Sequence, residues 1–212
     1  MHKHNPLLPI VLLSLTALSL PAASQDHRFD VEARVLVLLG NGEPANDMPG
    51  FGLAGHWQVR ENWYVGAAVD QVSFDFERPY EIIGLTSTEE IDAGNEFTRV
   101  SAWVERRYPL SGPWHWFWTA GAGWASLDAG DARGFTTSGS AYDIVTEADD
   151  ELHLMLSAGA RWRPTRNLAV GLAAHLERHE VSYVVTDRVS GATGKVGSQT
   201  PLGFSVGVQW SF

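Results

Sequence analysis

The residues with the most chemical potential sit late in the chain, as His175-x-Glu177-x-His179. On a β-strand, side chains two apart point to the same face, so these three converge. Two imidazoles and a carboxylate can ligate a metal ion or share a proton as an acid–base pair. They can equally join a network of ion pairs and hydrogen bonds, and the neighbouring segments favour that use. Glu32 and Arg34, His56 and Arg60, Arg99 and Glu105, and His153 and Arg161 each lie two, four, six or eight apart, with Asp30 leading the series. All are therefore expected on one common face, with no metal and no cofactor required. Ser157 and Ser205 fall on that face as the available hydroxyl nucleophiles, but no residue pattern beside them marks either as activated. Glu89, Glu90 and Asp92, and the run Asp149-Asp150-Glu151, offer oxygen ligands for Ca²⁺ or Mg²⁺. Such acidic runs more often serve only to keep loops solvated. No glycine-rich nucleotide motif occurs at a strand-to-helix turn.

The bulk composition limits what these groups can be used for. At 212 residues the chain suits one domain. Its net charge of -10 argues against nucleic acid, whose phosphates demand concentrated Lys and Arg. Cysteine is absent, so there is neither a disulfide framework nor a thiolate metal site. Twenty-one glycines and nine tryptophans accompany a slightly polar mean hydropathy of -0.11. A helical membrane protein would be far more apolar.

The N-terminus carries an export signature. His2, Lys3 and His4 precede an apolar run from Leu7 to Leu20, followed by Pro21-Ala22-Ala23-Ser24. That run is shorter than the roughly 20 residues a spanning helix needs. Residues 1–24 therefore read as a cleaved signal peptide, leaving 25–212 as the mature domain.

Beyond that point the chain alternates apolar with polar or small residues for about ten positions, then breaks, and repeats. The C-terminus sets Leu202, Phe204, Val206, Val208, Trp210 and Phe212 against Gly203, Ser205, Gly207, Gln209 and Ser211. Leu152 to Trp162, Trp116 to Ala125 and Leu168 to Glu177 repeat the pattern. Four further strands are expected at 29–39, 51–60, 63–76 and 98–108, the third with a β-bulge near Asp70 where the apolar phase slips to Val72, Phe74 and Phe76. The breaks alternate short (61–62, 110–113, 164–167) and long (40–50, 77–96, 127–150, 186–200). Eight strands with short turns at one end and long loops at the other form an up-and-down β-barrel. Trp63, Trp114, Trp162 and Trp210 gather at the short-turn rim; Trp124, Tyr183 and Phe204 are placed toward the other. Aromatic belts of this kind suit the two membrane interfaces.

Polarity decides what surrounds the barrel. A sheet survives in hydrocarbon only by closing on itself, so that no backbone amide is left unpaired. A soluble barrel would turn its apolar face inward, yet here the inner face is the one carrying Glu32, Arg34, Arg99, Glu105, Arg161 and Glu177. The fold class expected is all-β, an eight-stranded antiparallel transmembrane barrel with ionic groups enclosed and Leu154, Leu172 and Val206 facing lipid.

At this point the chain resembles the small outer-membrane β-barrel superfamily of OmpA/OmpX-like proteins, over essentially all of the mature sequence. The most specific element is the terminal strand, Phe204-x-Val206-x-Val208-x-Trp210-x-Phe212, similar to the signal such proteins present to the barrel-assembly machinery. Gly121-x-Gly123 before Trp124 is a weaker echo. The resemblance implies a bacterial outer membrane, with membrane lipids and lipopolysaccharide as surroundings, and no peptidoglycan-binding domain is expected after Phe212. Some barrels of this size hydrolyse lipid A with a His followed two residues later by Ser. His56, His153 and His175 are instead followed at that offset by Gln58, Met155 and Glu177, so no catalysis is expected. The expected role is structural or interactive, exercised through the long external loops. The alternatives are a narrow pore, a lipid-modifying enzyme and a soluble lipocalin-like barrel.

Overall fold

The computed structural model describes residues 29–39, 48–74, 95–128, 130–136, 138–148, 151–179, 183–196 and 202–212. The expected signal peptide lies outside them, as do Glu89, Glu90, Asp92, Asp149 and Asp150.

The wall is made of β1 (Phe29–Leu39), β2 (Met48–Arg60), β3 (Trp63–Phe74), β4 (Asn95–Pro109), β5 (Trp114–Asp128), β8 (Glu151–Trp162), β9 (Leu168–His179) and β12 (Leu202–Ser211). These eight pair antiparallel in chain order and close when β1 meets β12, from Asp30 opposite Ser211 to Leu39 opposite Leu202. Closure extends past the ladder, where the Phe212 amide donates to the Phe29 carbonyl at 2.9 Å. Every barrel edge is thereby paired, the condition for a sheet in lipid.

Alternation sets which residues face out. In β12 each odd-phase residue is buried and each apolar one exposed. Leu154, Leu172 and Val206 are 48%, 59% and 54% exposed, whereas Glu177 is buried, which fixes the inside-out polarity. Short turns follow from local chemistry. Asn62 adopts a φ of 60° in the two-residue turn between β2 and β3, a conformation Asn tolerates better than most side chains. Trp63 meets Trp118 edge-on at 5.9 Å and Trp114 lies 6.5 Å from Trp162, so indoles do cluster at this rim.

Two sequence expectations need correction. No parity slip occurs at Asp70: Asp70 and Val72 are both buried on the phase of Ala68, and β3 stays in register with β4 from Trp63 to Phe74. Val72 is simply an apolar residue that belongs inside. The register shift falls instead at Gln58/Arg60, where β2 approaches its turn. Further, the loops are not all irregular. β6 (Ala132–Phe135), β7 (Ala141–Ala148), β10 (Tyr183–Asp187) and β11 (Thr193–Val196) form a second sheet in the order β11-β10-β7-β6. Tyr183 accordingly lies in this sheet, and its side chain is outside the described residues.

Candidate functional site

The barrel interior is stacked in three layers. Nearest the short turns lie Asp30, Glu32, His56, Glu105, Arg107, Arg161 and Gln209, all buried. Arg161 donates to Glu105 through Nη1 at 2.6 Å and to Glu32 through Nη2 at 3.2 Å. Arg107 donates through Nε to Glu105 and through Nη1 to Asp30 at 2.7 Å, and Gln209 donates to the same Asp30 oxygen at 2.7 Å. His56 lies between two carboxylates, 3.2 Å from Glu32 and 3.4 Å from Glu105. Aromatic faces complete the layer: Tyr64 sits 3.5 Å under the Arg107 guanidinium and Phe117 lies 4.0 Å from that of Arg161. Each stacking replaces solvent on the weakly hydrated guanidinium plane.

The middle layer is built on Asp70, which accepts both nitrogens of a bidentate Arg34 fork at 2.8 and 2.7 Å and one from Arg99 at 3.2 Å. Arg99 also donates to Glu177. Beside them His175 Nε2 lies 2.7 Å from the Ser205 hydroxyl and His153 Nε2 3.0 Å from that of Ser101, while Thr119 bonds Ser157. The cavity among Arg34, Asp70, Arg99, Ser101, His175 and Glu177 has a volume of about 10 Å³, room for roughly one water. The histidine–serine contacts thus join neighbouring parts of the wall, and the cavity that Ser101 and His175 border holds about one water.

The outer layer is apolar. Leu36, Leu38, Met48, Val72, Phe97 and Ala125 of the barrel form one buried cluster with Ala132, Ile144 and Val185 of the outer sheet. The second sheet therefore closes the long-loop mouth with a hydrophobic seal. Asp187 steadies its last hairpin. Burial by itself would push this carboxyl upward, but the amides of Asp143, Val189 and Ser190 and the Ser190 hydroxyl hold it below the usual aspartate range.

Of the residues singled out from sequence, Glu32, Arg34, His56, Arg99, Glu105, His153, Arg161, His175 and Glu177 thus line the lumen. Arg60 does not: it is exposed, because the register shift at the turn takes it out of the inward phase. The side chain of His179 lies outside the described residues, and among the described residues no three His, Asp or Glu side chains form a metal-binding group. Phe204, Val206, Val208, Trp210 and Phe212 all face outward and are exposed. Asp70 and Arg107 are the network members that the sequence reading omits. The signal for Arg107 is parity with Glu105 along β4; for Asp70 it was masked by the supposed bulge.

Fold and interior together define a small membrane β-barrel with an occluded polar lumen. Among solved structures the chain is similar to the outer membrane protein OprG from Pseudomonas aeruginosa (TM-score 0.62, 10% identity, covering 87% of this chain and 95% of that one). It is also similar to a major outer membrane protein from Thermus thermophilus (TM-score 0.58, 14% identity, 89% and 100%) and to Neisserial surface protein A (TM-score 0.51, 10% identity, 88% and 97%). The fold is that of these small outer-membrane β-barrels. No protein-family model matches the sequence, and no curated protein matches it.

Proposed function

We propose that the protein is exported through its N-terminal signal and inserted into a bacterial outer membrane. There it acts as an interaction barrel whose outer sheet meets partners outside the cell. On this reading the terminal strand ending at Phe212 addresses the chain to the barrel-assembly machinery. The belt of exposed Leu, Val and Trp then contacts membrane lipid and lipopolysaccharide. The observation that carries the reading is the four-stranded sheet sealed onto the mouth, with Phe135 and Val189 exposed at 76% and 58%. A barrel used only as an anchor has no need of a second, separately hydrogen-bonded sheet beyond the membrane. The full lumen argues against a conduit, and the enclosed hydroxyls against a hydrolase.

The absence of cysteine makes a direct test possible. Phe135→Cys and Val189→Cys variants in intact cells are expected to react with a membrane-impermeant maleimide. The same cells are expected to bind components of glycan or protein arrays that cells bearing a barrel with short turns in place of 130–148 and 183–196 do not. Equal array binding by both cell types would overturn the assignment.

A further inference from the structure

The short-turn mouth holds a second cavity, of about 280 Å³, more than an order of magnitude larger than the void in the middle layer. Arg107, Arg161, Arg163 and His115 line it, with Tyr64 and Gln58, and no carboxylate is among its described lining residues. Asp30, Glu32 and Glu105, which pair with Arg107 and Arg161, belong to the first ionic layer and are not among the cavity's described lining residues. Arg107 is 4% exposed; its Nε and Nη1 are occupied by Glu105 and Asp30, and its Nη2 has no hydrogen-bond partner among the described residues. That nitrogen is closed to solvent, so the parts of Arg107 that border the cavity, not Nη2, are what an entering group meets.

The cavity walls are also held in place. The Arg107 amide donates to the Asn62 carbonyl at 2.9 Å, tying β4 to the first turn, and the Arg163 amide donates to the Pro113 carbonyl at 2.9 Å, tying the third turn to the second. Tyr64 beneath the Arg107 guanidinium prevents it from turning away. Three guanidiniums thus surround a space reached from the short-turn side, two of them fixed by a buried network. Planar forks of this kind match the oxygens of phosphate and carboxylate groups.

We propose that this vestibule is an anion site that takes a small multi-oxygen phosphate or carboxylate from the side opposite the outer sheet. It is independent of the surface role proposed above, since it lies at the other end of the barrel. The anion meets the surfaces of Arg107 and Arg161 that border the cavity, with Arg163 at the rim.

The test uses the folded full-length mature chain in non-ionic detergent, titrated calorimetrically with inorganic phosphate and separately with citrate at constant ionic strength. Saturable one-site binding of at least one anion is expected, weakened at least tenfold in Arg163→Glu. Arg133→Glu on the outer sheet is expected to bind as the unaltered protein does. Both variants are to be checked for the heat-dependent gel shift of a closed barrel. Repeating the phosphate titration in nanodiscs of phosphatidylglycerol and of phosphatidylcholine identifies the source. Weaker binding in both lipids than in the phosphate-free detergent means that lipid phosphate occupies the vestibule, and binding in phosphatidylcholine equal to that in detergent means a free solute. No saturable heat with either anion, or equal affinity in a folded Arg163→Glu variant, would overturn the proposal.

Discussion

Glu105 shows most clearly what a single residue does in this interior. It is fully buried and accepts from both Arg107 and Arg161, with His56 at 3.4 Å. Charges taken out of water are tolerable only when each is paired and hydrogen-bonded, and removing one partner strands the others. Glu105→Gln keeps the volume but removes the charge, leaving two guanidiniums short of a counter-ion. Its expected cost is about 3–5 kcal/mol, read as a lowered urea midpoint with unchanged slope for the detergent-folded barrel. Arg60→Gln, at an exposed rim position, is expected to stay within about 0.5 kcal/mol. Equal midpoints for the two variants would show that the ionic layer contributes nothing to stability. The contrast also shows what residue types alone can tell. Glu32, Arg34 and Glu105 were identifiable because an ion on an otherwise inward-facing phase has few other uses. Arg60 shares that phase in the sequence, and only the register shift at Gln58/Arg60 removes it.

Strands are the elements at which sequence and structure agree best, because a period of two is imposed by the pleat itself. β9 illustrates this: Leu172, Ala174 and Leu176 are exposed, and Ala173, His175 and Glu177 buried. Its small inward residues are as necessary as its large outward ones. A Cβ at Gly171 would lie 3.2 Å from the Arg161 side chain, so the buried guanidinium and its neighbour divide one space between them. Leu172 pairs with Val206 midway along β12 and with Ala160 toward the end of β8. Leu172→Arg places a charge on the lipid face there and is expected to cost about 2–4 kcal/mol of barrel stability in bilayers. The same substitution at Phe212, beside the rim, is expected to cost about 1 kcal/mol or less. Equal costs in vesicle-folded protein would mean that this face does not meet hydrocarbon. The strands of the outer sheet were far less legible. β6 and β11 are four residues each, too short for alternation to register, and β7 and β10 are half-buried against a mouth whose position no local pattern encodes.

Over the full height of the barrel, the lumen is blocked twice, by ionic layers below and by the apolar seal above. An eight-stranded barrel is narrow enough for side chains to fill, and this one is filled. Planar-bilayer recordings of the purified protein are accordingly expected to show no discrete open level. Regular current steps that persist in a Glu105→Gln control would show that both barriers open together. The two ends differ in character, with a sheet built outward at one mouth and a basic vestibule at the other. The two proposals together assign large partners to the outer end and small anions to the inner end.

Two-residue alternation, combined with the cost of exposing backbone or charge to hydrocarbon, is enough to specify the closed eight-stranded wall, its inside-out polarity and most of the enclosed ions. All three can be read from the order of the residues. Who pairs with whom across the lumen cannot, as with Asp30 and Arg107 on opposite walls or Asp70 between Arg34 and Arg99. Nor can the packing of Leu38 and Phe97 against Ile144 and Val185 that seals the mouth. Both depend on shear and on how loops fold back over the rim, and these are properties of the closed barrel that no stretch of ten residues contains.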